Sequence, residues 1–133
     1  YSEPVVMKWV DKMVELGIGI ISMADTVGLA TAAQVSSILE VLIPTYPETE
    51  IGVHLHSTAT NWEQKVKAAE KAGCCRFDGA IKGIGGCPMA GDELVGNMDT
   101  ELMIPYFQQQ GLLENINMEE LKKCSLLASE IFV

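Results

Sequence analysis

Three stretches with strand character begin near Ile18, Glu50 and Cys74, and an amphipathic helical stretch follows each of the first two. The starts lie 32 and 24 residues apart, room for a strand, a helix and two short turns. That alternation is the pattern of consecutive βα units on a parallel sheet. Its boundaries are readable. Ser2-Glu3-Pro4 opens a helix, with Ser2 as N-cap and Pro4 in the first turn. Val6, Trp9, Val10, Met13 and Leu16 recur at helical spacing, an apolar stripe expected in the core, and Gly17 is the stop. Ile18 to Ala24 is a short apolar run, suited to a strand buried on both faces. Thr31 and Gln34 form a capping-box pattern for a helix that turns Val35, Ile38, Leu39 and Leu42 inward and ends at Pro44 and Pro47.

Glu50 to His56 is the second strand, and Asn61 with Gln64 caps a helix closing at Gly73. Cys75 to Ile81 is the third strand. A glycine-rich loop from Lys82 to Asn97 follows, with a very short fourth strand expected near Leu94 to Met98. A helix from Thr100 to Gln110 precedes Gly111, and Asn117 caps a last helix running towards Val133. No linker divides the chain, so residues 1–133 are expected to form one partial domain of about four βα units and a C-terminal helix.

The pattern fits either a doubly wound sheet or a (β/α)8 barrel. A complete barrel needs ~250 residues, and 133 residues supply about half of one. An open half-barrel leaves bare strand edges. The chain is therefore expected to belong to a longer polypeptide or to complete its barrel with a second copy, as a homodimer.

Composition narrows the partners. The net charge is −9 and the nine basic residues are scattered, so no basic stripe exists for nucleic acid phosphates. No apolar run approaches the ~20 residues that span a membrane. Cys74, Cys75, Cys87 and Cys124 show neither C-x-x-C nor zinc-ribbon spacing. A reducing, cytoplasmic setting is the expectation.

The sharpest chemical signal is His54-Leu55-His56 at a strand end. Alternation puts both imidazoles on one face, ~7 Å apart along the chain, where they can converge on one cation. The C-terminal ends of parallel strands are where α/β enzymes build their sites. H-x-H also arises by chance, and two histidines alone do not complete a site. Asp25 ends the preceding strand and is expected at the same rim, to orient a substrate or move a proton, or else simply to cap its own turn with Thr26. In Lys82-Gly83-Ile84-Gly85-Gly86-Cys87-Pro88-Met89-Ala90-Gly91, four glycines and a proline surround one cysteine, as in a mobile lid carrying a thiol or a merely flexible connection. Asn97 just beyond offers an oxygen ligand or a helix cap. Asp78, with Arg76 on the same face, reads as an internal ion pair.

Taken together, Ile21-Ser22-Met23-Ala24-Asp25-Thr26-Val27-Gly28, Val53-His54-Leu55-His56, Gly83 to Ala90, Gly96-Asn97 and Thr100-Glu101 resemble the 3-hydroxy-3-methylglutaryl-CoA lyase family, in the barrel superfamily of metal-dependent lyases and Claisen-type synthases. The resemblance runs from residue 18 to about 110. It implies the C-terminal half of a (β/α)8 barrel of parallel strands, lacking the N-terminal half. It implies His54, His56 and Asn97 as ligands of Mg2+ or Mn2+, and Cys87, His54 and Asp25 as catalytic residues. The implied reaction cleaves an acyl-CoA substrate, 3-hydroxy-3-methylglutaryl-CoA, to acetoacetate and acetyl-CoA. A base removes the 3-hydroxyl proton, the carbon–carbon bond breaks, and Cys87 helps to reprotonate the enolate carbon. The Gly-Gly-Cys-Pro of the loop separates this family from the related synthases and aldolases that act on 2-oxo acids, the second reading. A noncatalytic half-barrel is the third. Two departures stand out. The family's Asp-Arg-Glu run, which brings a further ligand and a catalytic Arg, is missing, and Ser57-Thr58-Ala59-Thr60-Asn61 replaces the usual Asp or Asn with Thr-x-Gly after the second His.

Overall fold

Ser2 and Pro4 do start a helix. In the computed structural model, which describes residues 2–86 and 95–132, α1 covers Glu3–Glu15. The Ser2 carbonyl accepts the amides of Val5 and Val6, although its side chain makes no cap. Gly17 takes φ +79°, the left-handed turn that ends helices cheaply only at glycine. The expected core stripe does not hold along its length. Val10 is buried, but Trp9 is 54% exposed and Met13 and Leu16 are also exposed. Only one edge of α1 meets the sheet, so the rest of its apolar stripe faces outward.

Strand β1 (Ile20–Asp25) pairs in parallel with β2 (Glu50–Ser57), and β2 pairs in parallel with β3 (Arg76–Asp78). Helices α2 (Ala32–Thr45) and α3 (Trp62–Lys71) are the crossovers between them. The Thr31–Gln34 capping box forms in both directions, and α2 reaches one residue past Pro44. The expected Asn61 cap does not form. Asn61 Oδ1 instead accepts the Thr58 amide at 2.8 Å, tightening the turn ahead of α3.

Leu39 and Leu42 of α2 and Val66 and Ala69 of α3 pack against Ile21, Ile51, Val53 and Leu55, one face of the sheet. β1 is covered on that face alone, contrary to the two-sided burial expected, and Ile20 is 52% exposed. The opposite face carries Ser22, Ala24, His54, His56, Arg76 and Asp78, the residues of the other parity. No helix of the described residues packs across β1 there.

The third strand is shorter than expected: it stops at Asp78, Ala80 makes only an isolated bridge, and a 3-10 turn covers Ile81–Gly83. The fourth element corrects the all-parallel expectation. β4 (Gly96–Asn97) pairs antiparallel with the tip of β2, His56 opposite Asn97, before Asp99 forms a parallel bridge with Ala80. The chain doubles back over the strand ends and only then continues the parallel order. α4 (Thr100–Gln108) is capped by Asp99, whose carboxylate accepts the Glu101 amide, and α5 (Met118–Ile131) by Asn117, as expected of Asn117. Among the described residues, no helix is long and apolar enough to cross a membrane.

Two measurements test this packing. Leu39→Ala empties a fully buried site and should cost about 2–5 kcal/mol, read as a lowered melting temperature. Cys74 is buried, and that burial pushes its thiol above its ordinary range. At mildly alkaline pH, peptide mapping should find Cys124 alkylated and Cys74 protected until the protein unfolds.

Candidate functional site at the strand ends

Because His54 and His56 are two residues apart on β2, both rings emerge on the polar face. Their centroids lie 5.3 Å apart with planes at 82°, edge to face. His56 is only 4% exposed. Its Nδ1 sits 2.8 Å from the carbonyl oxygen of Asp25. A carbonyl can only accept, so Nδ1 carries a proton, and in the neutral ring Nε2 keeps its lone pair, the tautomer a metal-binding imidazole needs. His54, more open to solvent, has Nδ1 3.9 Å from Asp78 Oδ2, an oxygen that also accepts the Ser22 hydroxyl at 2.7 Å. The parallel register that sets His54 beside Asp78 brings these three strands' side chains together.

Asn97 joins the pair because β4 folds back. Directly opposed residues of an antiparallel pair project to the same face, and Asn97 opposes His56. The Asn97 amide nitrogen donates to the Ile84 carbonyl at 2.9 Å, and among the described residues no donor reaches its Oδ1. The helix-cap role for Asn97 is not realised, since Asp99 caps α4. Gly86 bridges Gly96, so the glycine-rich loop has its stem beside Asn97. Cys87 lies outside the described residues.

Asp25 does not reach the histidine rim with its carboxylate. It pairs in register with Leu55, on the helix-facing parity, and its side chain turns towards α3. There Lys65 Nζ donates to Asp25 Oδ2 at 2.7 Å, to the His56 carbonyl at 2.8 Å and to the Gly28 carbonyl at 3.2 Å. Asp25 Oδ1 accepts the Ala30 amide at 3.1 Å. This is a buried ion pair that also caps the turn after β1, and a carboxylate so engaged is not free to act as a base. Strand parity is the reason the sequence-based placement at the rim misses.

Lys65 itself went unnoticed in the sequence. The signal was there: Trp62, Lys65, Val66 and Ala69 lie on one helical stripe, and a cation within a buried stripe must find an acid. Asp78 was anticipated as the partner of Arg76, and Arg76 Nε does stand 3.7 Å from Asp78 Oδ1. The closer partner of Arg76 is Glu50, at 3.2 Å, and the contact of Asp78 with His54 was not foreseen.

Among the described residues no three His, Cys, Asp or Glu side chains cluster as a metal would require. What the strand ends offer is two imidazole nitrogens and one amide oxygen, neutral donors that fit a divalent cation provided an anionic oxygen ligand comes from elsewhere.

Parallel βα units with polar groups gathered at the strand ends belong to the α/β enzymes, barrels and doubly wound sheets alike. The family follows. The HMGL-like family model matches residues 2–127, and the chain belongs to that family. It is 34% identical over 116 residues to a hydroxymethylglutaryl-CoA lyase of Bacillus subtilis, covering 87% of this chain and 38% of that protein. It is likewise 34% identical over 108 residues to an (R)-citramalyl-CoA lyase of Chloroflexus aurantiacus, covering 81% of this chain and 34% of that one. The crystal structure of a Bacillus subtilis HMG-CoA lyase superimposes with a TM-score of 0.88 at 30% identity, over 98% of this chain and 43% of the other. An Acinetobacter baumannii HMG-CoA lyase solved with coenzyme A and 3-methylmalate gives 0.84 at 34% identity, over 96% and 42%.

These relatives are barrels, and the chain is a partial barrel. It spans about two fifths of their length, a smaller part than the expected C-terminal half.

The turn that anchors Lys65 is sensitive. Gly28 has φ +71°, and an added methyl would lie 2.7 Å from Val95 Cγ1. Gly28→Ala should cost at least the ~1–3 kcal/mol of a non-glycine left-handed residue. Gly17→Ala, with φ +79° but nothing within 4 Å, should cost less in the same thermal melts.

Proposed function

We propose that this chain is the cation-binding part of a divalent-metal-dependent carbon–carbon lyase that cleaves 3-hydroxy-3-methylglutaryl-CoA to acetoacetate and acetyl-CoA. What supports the reading is the edge-to-face pair of His54 and His56 on one side of β2, together with the backfolded β4 that sets Asn97 in register opposite His56. These three residues would hold Mg2+ or Mn2+, which when bound supplies Lewis-acid stabilisation of oxyanion charge.

The chain's own groups have distinct tasks. The Asp25 carbonyl holds the His56 tautomer, and Asp78 lies beside His54 to orient it. His54, part-exposed, serves as a ligand rather than as the base, because a neutral imidazole that gives one nitrogen to a cation keeps its proton on the other. In this reading Cys87 returns a proton to the enolate carbon of the departing acetyl-CoA, and the Asp25 side chain serves the scaffold rather than the chemistry. The acidic ligand and the basic residue of the family's Asp-Arg-Glu run would come from a separate segment of barrel outside these 133 residues. A citramalyl-CoA-type substrate is the second reading, favoured by the equal identity to that lyase. The two thioesters differ in acyl group but demand the same bond cleavage.

Two outcomes are expected. His54→Ala should weaken Mn2+ binding about tenfold or more and abolish cleavage of both thioesters, and unchanged Mn2+ affinity would remove the metal reading. The isolated 133 residues should release no acetoacetate above background, and robust release would show that no further barrel segment is needed.

A further inference from the structure

Lys65 is 3% exposed, yet it carries a full charge into the space between α3 and the ends of β1 and β2. An ammonium has three N–H donors, and all three find acceptors: the Asp25 carboxylate, the His56 carbonyl and the Gly28 carbonyl. Asp25 Oδ1 is held by the Ala30 amide, and the Asp25 carbonyl takes both the Gly28 amide and the His56 ring. His56 is thereby gripped twice through one ion pair. Its ring nitrogen is fixed by the backbone of Asp25, and its own carbonyl by the ammonium that the Asp25 side chain neutralises. Ser57, which stands where an acidic or amide residue would otherwise follow this histidine, points to the helix side, and among the described residues its hydroxyl reaches Met98 Sδ alone, at 3.4 Å. It offers His56 no support.

We propose that Lys65 is a positioning residue for the cation site: paired with Asp25, it fixes the backbone and ring of His56, and so sets the affinity of the strand-end cluster for a divalent cation. The inference rests on the metal-binding reading of His54, His56 and Asn97. It predicts that a side chain on the far side of the sheet, touching no ligand atom, controls metal affinity.

Lys65→Met would strand the Asp25 carboxylate in the interior, a change that endangers folding by itself. The decisive variants therefore keep the charge balance: Lys65→Arg, which retains the pair but moves the donor away from the His56 carbonyl, and the neutral pair Lys65→Gln with Asp25→Asn. In the full-length protein, Mn2+ affinity is measured by electron paramagnetic resonance of the free ion, alongside thermal melting without metal. The expected result is a metal-free melting temperature close to the parent in Lys65→Arg, with Mn2+ affinity weakened about tenfold or more in both variants. The 15N shifts of His56 should also report loss of the single Nδ1–H tautomer. A purely structural Lys65 would lower the melting temperature and leave Mn2+ affinity within twofold of the parent, and that result overturns the proposal. His56→Ala separates the two readings. If it leaves Mn2+ binding intact, the metal site itself is wrong and the role of Lys65 falls with it. If it abolishes binding while the Lys65 variants bind normally, only the positioning role is lost.

Discussion

Strand β2 is the constraint on which the rest depends, because its two faces must satisfy opposite demands. Val53 and Leu55 are sealed against α2 and α3, while His54 and His56, one residue out of phase, stand on the polar side. A slip of one residue would bury the imidazoles under helices and turn the aliphatic pair outward. The cost of burying rings without partners, set against the loss of fully buried Leu39, Leu42 and Val66 contacts, holds the register. β2 is also paired with β1, β3 and β4, so every element that supplies a polar group to the site is hydrogen-bonded to the strand that carries the histidines.

The polar groups divide accordingly. On the open face, Ser22, His54, Asp78 and Arg76 come from three adjacent strands and interact across them. On the covered face, the Lys65–Asp25 ion pair enters a layer built mainly of apolar side chains. Placing Lys65 and Asp25 there carries a desolvation cost that a hydrophobic pair would avoid. Their partners explain what the cost secures: two strand ends and the turn at Gly28 are tied at one ammonium. The barrel relatives share the architecture over nearly all of this chain, which fits a scaffold whose strand ends, rather than its helices, carry the chemistry.

Much of this was legible before any coordinates. The spacing of apolar runs announced parallel βα units, and the Thr31–Gln34 box, Gly17 and Asn117 marked helix ends that form as expected. The H-x-H pair was readable because strand alternation is a local property. The failures share a cause. Trp9, Met13 and Ile20 are apolar at core-like spacing yet exposed, since spacing says which face a residue occupies but not whether another element covers it. Asp25 was assigned to the rim by proximity to a strand end, when its parity with Met23 and Leu55 sends the carboxylate the other way.

The amino-acid order by itself determined the element sequence, the parallel architecture, the family and the pairing of two imidazoles on one face, because each of these follows from local periodicity or from side chains two residues apart. Only the tertiary structure decided that β4 turns back to set Asn97 against His56, and that Lys65 crosses to Asp25 beneath the site. Those contacts join residues 40 or more positions apart, and their formation depends on how a loop reverses and how a helix seats on a sheet, which no short-range pattern encodes.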